Sequence, residues 1–383
     1  MDVNNIKQRV LEALGPVKPA GPETIASKDF LFTAERTVAS GDLPPYYLVY
    51  FLLADLVGFK NLGMFEKVSW SIPLDYKGRA MVVEHRKFGL GIFTSGTKED
   101  KAAAADIARR LKKAVRVAQP YFDWRAEEAS KHSHLNVLNH AVSLLERYEF
   151  FLGMYEQKRE EAERRKDERI RTELSPTSWT VQMPSVHLRR EAKWCALATI
   201  ESFFSWTEHV FILVAILQGK IVTGEDVARL AAAEWDTKFK AIFDITEGET
   251  KRFYDDLKLV RAQLRNVVAH GAFGKNGEAM QFHSSAGAVP LLLPYNRHAR
   301  FKFGHGITFV DHEAIELLRA FINHLWSGPR APAKVYLQEW ALPLILSMAS
   351  SGEYASAMVS VEEMNLFARH LADEMDRSAN MDF

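Results

Sequence analysis

The sequence has little cysteine: Cys195 is the only one in 383 residues. A single cysteine excludes a disulfide within the chain, and it also excludes the paired thiolates of a cysteine-based zinc site. Cys195 lies in a strongly apolar segment, which predicts a small buried hydrophobic side chain rather than a catalytic nucleophile. Chemistry based on sulfur is therefore not expected.

The sequence also lacks an excess of charge of either sign, with 49 Lys+Arg against 49 Asp+Glu. A neutral chain has no global positive field to attract nucleic acid, so any contact with RNA must come from a local patch. The composition is otherwise that of a globular protein, because 47% of the residues are hydrophobic. The length allows two or three domains.

Long uninterrupted apolar runs are absent from the sequence. Met1–Leu14 has no apolar core of a signal peptide, so nothing in it predicts export. The most apolar region, Trp194–Leu217, is interrupted by Glu201 and Glu208, which leaves only Val210–Leu217 unbroken. That stretch is too short for a membrane span and indicates a buried or interface helix. We therefore expect a cytoplasmic protein with no membrane contact.

Motifs for cofactors and metals are missing as well. The segment Gly89–Gly91 lacks the third glycine of a dinucleotide-binding loop, and no Gly-Lys-Ser/Thr sequence lies nearby. His132, His134 and His140 lie close together, but no carboxylate or cysteine accompanies them at ligand spacing. We expect the two glycines to lie in a strand, and we expect no cofactor and no metal.

The first 130 residues predict an α+β domain. Pro16–Pro22 predicts a loop, and the apolar segment Tyr46–Val57 favours a buried helix. Apolar residues alternate from Val68 to Leu74, and Met81–Phe93 supplies two further short strands, so a small antiparallel sheet is expected. Lys98–Ala118 predicts a helix with a basic stretch, which is either a solvated face or a face that contacts RNA.

Residues 131–184 predict a helical arm followed by a linker. The charged segment Gln157–Glu173 contains Glu and Arg residues one helical turn apart, which favours a solvent-exposed helix. Ser175-Pro176 would end it. The remainder of the chain predicts mostly further helices.

One of these later helices carries a distinctive group of polar residues at its end. Its apolar residues recur every three or four positions: Phe253, Leu257, Val260, Leu264 and Val267. The helix then passes through Arg265, Asn266 and His270 before Gly271, which is a natural helix stop.

The three polar residues lie opposite the apolar seam on a helical wheel of about 100° per residue. Asn266 and His270 are one turn apart, while Arg265 lies about 140° from His270. Two interpretations are open. The residues form a solvated face in which Arg265 and His270 suit the negative end of the helix dipole, or they form a cleft that a second surface completes.

The end of this helix resembles the Arg-x4-6-His motif of HEPN domains. It has an Arg, a polar residue next to it and a His a few positions later, on a helix with an apolar seam. The resemblance covers roughly Ser185 to Ser327. It implies a mainly α fold with a HEPN-like helical bundle at residues 185–330 that contains a hairpin insertion. Residues 1–130 would then be a smaller α+β domain and candidate sensor, and residues 331–383 would be C-terminal helices packing on the bundle.

The resemblance further implies a metal-independent endoribonuclease that cleaves single-stranded or loop RNA, acting as a toxin or anti-phage defence effector. His270 would be the acid and base of the reaction, Arg265 would hold the phosphate, and Asn266 would orient one of them. Some HEPN domains keep the fold without nuclease activity. The alternative function is therefore a non-catalytic nucleotide- or protein-binding module.

The expected partners are RNA, a second copy of the chain, and an antitoxin or phage-derived trigger. Aromatic and cationic residues interleave between positions 273 and 310, which suits single-stranded RNA, although an amphipathic hairpin has the same pattern. The candidate RNA-binding residues there are Arg297, His298, Arg300 and Lys302.

Two further expectations concern the helix around Trp194–Leu217. It is apolar over most of its circumference, which predicts a homodimer through the bundle with both copies of the motif in one cleft. Its polar exceptions, Glu201, Glu208 and His209, must each find a partner. Each is either paired structurally or faces the cleft near Arg265, where the two glutamates would be accessory residues.

Overall fold

The computed structural model describes residues 1–246, 248–270, 280–292, 302–303 and 310–379. The side chains at positions 32, 263, 265–270, 280, 292, 302 and 378–379 lie outside this description. The described chain is mostly helical with small antiparallel sheets, as the sequence predicted. It divides into two compact units, Met1–Lys131 with Glu374–Phe383, and His132–Asp373. The finer division into arm, bundle and C-terminal helices stays a prediction.

The first unit combines one five-stranded sheet with five helices among its described residues. Its helices are α1 (Val3–Leu14), α2 (Phe30–Thr33), α3 (Tyr46–Tyr50), α4 (Lys98–Val117) and α5 (Gln119–Ser130). Its strands are β1 (Val17–Pro19), β2 (Glu35–Arg36), β3 (Val68–Tyr76), β4 (Arg79–Arg86) and β5 (Gly89–Thr94). The strands form one antiparallel sheet in the order β1-β3-β4-β5-β2, so the predicted small sheet is confirmed. Gly89 and Gly91 lie in β5, as expected.

The hairpin between β3 and β4 sets the register of this sheet. Tyr76 pairs with Arg79 across a two-residue turn, and Lys77 and Gly78 have φ values of 57° and 79°. Two successive positive φ values are what a type I′ turn requires, and that turn matches the twist of the flanking strands. The alternation of β3 then directs Ile72 into a core with residues of α4.

Two details of this unit differ from or extend the sequence expectation. Pro16–Pro22 was predicted as a loop, but Val17–Pro19 pairs with β3 as an edge strand. Proline is accepted there because an edge strand has unpaired backbone groups. The predicted helix at Tyr46–Val57 is confirmed, and its second half, Phe51–Leu56, is a π-helical turn.

Two arginines in the basic stretch of α4 bind a carboxylate on the same helix. Arg110 Nε donates to Asp106 Oδ2 at 2.6 Å, Arg109 also binds Asp106, and Tyr76 Oη donates to the same carboxylate at 2.5 Å. Burial raises the pKa of Asp106, but the hydrogen bonds from Tyr76 and Arg110 outweigh it and hold that pKa well below its usual range. Arg109 and Arg110 therefore have a structural role.

The second unit contains the remaining elements. Its helices are α6 (Ala141–Arg164), α7 (Pro184–Leu217), α8 (Gly224–Ala232), α9 (Trp235–Ile242), α10 (Gly248–His270), α11 (Asp311–Leu325), α12 (Ala331–Lys334), α13 (Leu346–Ser351), α14 (Glu353–Ala357) and α15 (Val361–Ala379), the last of which passes out of the unit after Asp373. Its strands are β6 (Asn136–Val137), β7 (Ile170–Ser175), β8 (Ser178–Gln182), β9 (Met280–Ser284), β10 (Gly287–Leu292), β11 (Lys302–Phe303) and β12 (Leu344–Ile345).

The helices α6 and α7 form an antiparallel pair. Tyr148 contacts Phe203 at 6.1 Å between ring centroids, whereas Lys158, farther along α6, binds Glu191, which lies earlier on α7, at 2.7 Å. The other side of α7 packs against α9, α10 and α11 around large buried aromatic side chains. This core consists of Phe203, Trp206, Phe211, Trp235, Phe239 and Phe321.

Most of the apolar circumference of α7 is covered by its own chain, although Val186 and Trp194 are exposed. Pro184–Leu217 is long and apolar enough to cross a membrane, but 78% of its most apolar stretch is buried inside the protein. Such burial is typical of a core helix in a water-soluble bundle. Because neighbouring helices already cover Val210–Leu217, the apolarity of this helix does not by itself require a second subunit.

The charged segment after α6 differs from the sequence expectation. A helix was predicted through Glu173, but α6 ends at Arg164, and β7 and β8 form a hairpin whose turn contains Pro176. The i,i+4 charge pairs support the helix only as far as Arg165, which binds Glu161. Beyond this point Thr, Trp and Val favour strand. Every residue of both strands is exposed.

Candidate functional site

The helix α10 carries the predicted motif in its last turns. It runs from Gly248 to His270, so Arg265, Asn266 and His270 lie near or at its C-terminal end, as the sequence predicted. Leu257, Val260 and Leu264 are buried, which confirms the described part of the apolar seam. The side chains of the three motif residues lie outside the described ones, so their roles stay predictions.

Among the described residues that make polar contacts, Arg261 is the closest in sequence to the motif. Its guanidinium Nη2 donates to Glu208 Oε1 of α7 at 2.9 Å, and Lys238 Nζ of α9 donates to Glu208 Oε2 at 2.7 Å. Both carboxylate oxygens of Glu208 are therefore used. The side chain of Lys238 is only 6% exposed, so the carboxylate of Glu208 is the partner that compensates its burial.

This ion cluster ties α10 to α7 and α9 just before the motif. Arg265 follows Arg261 by four residues, so the cluster lies about one helical turn, or about 6 Å along the axis, before it. The cluster therefore fixes the rotation of α10 about its axis at the turn before Arg265. Any surface formed by the motif inherits its orientation from Glu208.

A second ion pair repeats this arrangement farther from the motif. Lys258 Nζ lies 2.9 Å from Asp236 Oδ2 of α9, and Tyr254 Oη donates to the same oxygen at 3.2 Å. Burial raises the pKa of Asp236, but the hydrogen bond and charge of Lys258 outweigh it and lower that pKa. The carboxylate therefore stays charged, and it holds α10 to α9 at Tyr254 and Lys258.

The polar residues of α7 have different fates. Glu208 is paired structurally, the first of the two alternatives that the sequence left open. Glu201 is exposed and makes no polar contact with the described residues. Its role as an accessory residue of the cleft stays a prediction.

His209 is also paired. Its Nε2 accepts a hydrogen bond from the backbone N–H of His140 at 2.9 Å, so this nitrogen must be unprotonated. Burial, and then the nearby charge of His140, lower the pKa of His209 to about 4. The imidazole is neutral at physiological pH and is part of the junction between α7 and the start of α6.

We expect this buried histidine to make the unit sensitive to acid. Unfolded His209 binds a proton near its ordinary value of 6.5, whereas folded His209 does so only near 4. Its contribution to stability is therefore complete above pH 6.5 and is lost as the pH falls toward 4, by at most about 1.4 kcal/mol per pH unit. In urea unfolding, His209→Gln should flatten this part of the pH profile.

The control for this prediction is His132→Gln, because His132 is exposed. His324, whose pKa burial also lowers, titrates in the same direction in all three proteins, so the difference between profiles isolates His209. The contrary result would be equal slopes for wild type and His209→Gln between pH 6.5 and 4. It would show that the folded protein does not disfavour the protonated form of His209.

The insertion after α10 contains a small sheet in the order β11-β10-β9. A hairpin was expected in this insertion, and β9 and β10 form an antiparallel hairpin. Phe282 and Phe303 lie on its outer strands with ring centroids 5.8 Å apart, and they are 49% and 66% exposed. Exposed, adjacent rings on a sheet can stack on unpaired bases.

The predicted RNA-binding residues belong to this insertion, but their contacts are not described. Arg297, His298 and Arg300 lie outside the described residues, and only the backbone of Lys302 in β11 is described. Their role stays a prediction. The sequence does not predict that Phe282 and Phe303 lie side by side. They are 21 residues apart, and only the pairing of β9 and β11 with β10 brings them together.

Within the described ranges, no group of three His, Cys, Asp or Glu residues is arranged to hold a metal ion. Comparison with known proteins gives no match to a family model, to a curated protein or to a solved structure.

Proposed function

We propose that this protein is a HEPN-like, metal-independent endoribonuclease that cleaves single-stranded or loop RNA, acting as a toxin or anti-phage defence effector. The observation that carries the proposal is the position of Arg265, Asn266 and His270 in the last turns of α10. Packing against α7, α9 and α11 gives that helix a rigid base. A site on a rigid helix can hold acid–base and phosphate-binding groups in fixed positions.

The chemistry follows from the two ionisable residue types. The 2′-hydroxyl of one nucleotide attacks the adjacent phosphorus, and the bond to the 5′-oxygen of the next nucleotide breaks. His270 takes the proton from the attacking hydroxyl or gives one to the leaving oxygen, because imidazole titrates near neutral pH. Arg265 holds the phosphate oxygens bidentately, and Asn266 orients His270 or the phosphate. The product ends are a 2′,3′-cyclic phosphate and a 5′-hydroxyl.

One feature of the described residues and one of the sequence support RNA as the substrate. The exposed rings of Phe282 and Phe303 belong to the insertion that directly follows the motif helix, and they offer stacking surfaces for unpaired bases. The same insertion contains the cationic residues Arg297, His298, Arg300 and Lys302 in its sequence. Together they supply the local patch that a neutral chain needs for contact with RNA.

The test is end-group analysis of RNA cleaved by the purified protein in the presence of EDTA. We expect cleavage to continue at an unchanged rate and to leave 2′,3′-cyclic phosphate ends, because His and Arg do the chemistry without a metal-activated water. Loss of cleavage in EDTA that magnesium restores, or 3′-hydroxyl ends, would contradict the mechanism. RNA preparations without the protein serve as the control for spontaneous hydrolysis.

The same proposal includes a homodimer that places two copies of Arg265 and His270 at one cleft. Its support is the place of the motif residues opposite the apolar seam on a helical wheel, together with the exposed Trp194 ring on α7. A two-fold axis beside the motif would bring four cationic or titratable groups to one phosphate. An antitoxin or phage-derived trigger would act on this assembly.

A further inference from the structure

The β7–β8 hairpin forms a sheet of only two strands, and all of its strand residues are exposed. Among the described residues, the backbone of β8 makes no hydrogen bond to any strand other than β7. A two-stranded hairpin by itself is only marginally stable in water, and additional strands stabilise it. The outer edge of β8 is therefore open to a further strand.

The two outer edges of the hairpin differ in charge. The strand β7 contains Arg171 and Glu173, and charged side chains are one of the features that keep edge strands from pairing. The strand β8 has the sequence Ser-Trp-Thr-Val-Gln, which has no charge and no proline. Its Trp, Thr and Val also favour strand. The edge of β7 is thus protected against pairing, whereas the edge of β8 is not.

The register of the hairpin places the large side chains of β8 on one face. Val181 lies opposite Arg171, and Trp179 lies opposite Glu173. Residues that lie opposite each other point to the same face of a sheet. Trp179 and Val181 are 53% and 42% exposed, and the guanidinium carbon of Arg171 lies 4.7 Å from the centre of the Trp179 ring. An apolar strip on one face of β8 is therefore only partly covered.

We propose that β8 pairs with β8 of a second copy of this chain, antiparallel and about a two-fold axis at Thr180. Such an axis, perpendicular to the sheet, keeps each face of the hairpin on the same side in both copies. The register centred on Thr180 pairs all five residues of the strand.

The sequence of β8 is self-complementary in this register. Trp179 lies opposite Val181 of the partner subunit, and Thr180 lies opposite Thr180 of the partner subunit. An aromatic residue opposite a β-branched residue and two threonines opposite each other are favourable cross-strand pairs. The two apolar strips also meet on one face of the resulting four-stranded sheet. Because β8 carries no charge, the two copies come together without repulsion between like charges.

The charges on β7 limit this assembly to two copies. In the four-stranded sheet both outer edges are β7 strands, which carry Arg171 and Glu173. These charges disfavour the addition of a third copy. Five residues from each copy are far fewer than the about 20–30 of a standard interface, so we expect a weak dimer that depends on concentration. The interface includes no residue of α10 and stands without the proposed RNA cleavage.

The test is disulfide cross-linking between copies. Thr180→Cys and Thr172→Cys are each made in a Cys195→Ser background, so each protein has one thiol. Thr172 lies opposite Thr180 in the hairpin, so the two thiols lie on the same face, and both positions are exposed. The matched pair therefore differs mainly in which strand carries the thiol.

The proposed sheet separates these two variants clearly. The two copies of position 180 lie directly opposite each other, with Cα atoms about 4.5–5.5 Å apart, which a disulfide can span. The two copies of position 172 are three strand spacings apart, or about 14 Å. In a glutathione buffer at equal micromolar protein concentration, we expect Thr180→Cys to form linked dimers at least about tenfold faster than Thr172→Cys. Thiols held at bonding distance react at a high effective concentration.

A second pair of variants tests the edge itself. Trp179→Lys, added to the Thr180→Cys protein, keeps a partner in Glu173 within its own hairpin but places a charge on the pairing edge. It should lower the rate of cross-linking to that of Thr172→Cys. Thr177→Lys adds the same charge in the turn, outside β8, and should leave the rate unchanged. Both positions are exposed, so the fold should be retained.

Two results would overturn the proposal. One is a Thr180→Cys protein that forms linked dimers no faster than Thr172→Cys. The other is a Trp179→Lys variant that cross-links as fast as the Thr177→Lys control. Because cross-linking is measured without RNA, failure here is distinct from failure of the proposed cleavage, which is read from RNA ends.

Discussion

Purified His270→Ala is expected to cleave single-stranded RNA at least about a hundredfold more slowly than the wild type, and Arg265→Ala should lose a similar factor. General acid–base catalysis by a positioned side chain contributes about 10²- to 10⁴-fold, and a guanidinium on the phosphate stabilises charge that grows in the transition state. The measurement is the initial rate of cleavage of a labelled oligoribonucleotide at equal protein concentration.

The fold should survive these substitutions. On a helical wheel the motif residues lie opposite the apolar seam of α10, so we expect each variant to unfold within about 1 kcal/mol of the wild type. Matched controls are Arg252→Ala, an exposed arginine of the same helix, and His132→Ala, an exposed histidine elsewhere in the unit. Both should cleave like the wild type. If His270→Ala cleaves as fast as they do, the catalytic assignment of the motif is wrong.

Glu208→Ala should be the most destabilising single change among the surface carboxylates of α7. It removes the anion that both Lys238 and Arg261 contact, and the Lys238 side chain is only 6% exposed. An ammonium left buried without a partner costs about 3–5 kcal/mol, and the partial exposure of Glu208 reduces the expected loss to about 2–4 kcal/mol. The measurement is the free energy of unfolding in urea at neutral pH.

The control is Glu201→Ala, seven residues earlier on the same helix, where the carboxylate is exposed and makes no contact with the described residues. It should stay within about 0.5 kcal/mol of the wild type. Glu208→Gln keeps an acceptor but not the charge, so it should fall between the two. Equal stability of Glu208→Ala and Glu201→Ala would show that Lys238 finds water or another acceptor when Glu208 is removed.

Much of the fold is predictable from local patterns in the sequence. The β3–β4 hairpin follows from alternating apolar residues and the Lys77-Gly78 turn, and α10 follows from its three- and four-residue apolar spacing. The hairpin at Ile170–Gln182 was missed, because charge pairs that support a helix end at Arg165 without a breaker. The edge strand at Val17–Pro19 was missed because only its partner β3 makes it a strand.

The surroundings of the site depend on pairs that are distant in sequence. The need of Glu208 for a partner was predictable from its place in an apolar helix, but Lys238 lies 30 and Arg261 lies 53 residues away, and nothing local selects them.

The exposed β7–β8 hairpin has one more consequence, for how the chain tolerates change. It is the only covalent link between α6 and α7, yet those helices are held together by side chains along their lengths, such as Tyr148 with Phe203 and Lys158 with Glu191. The hairpin residues themselves are exposed. Its turn at Pro176 is therefore a place where a whole domain can be inserted, or new chain ends created, while the helical pair stays assembled.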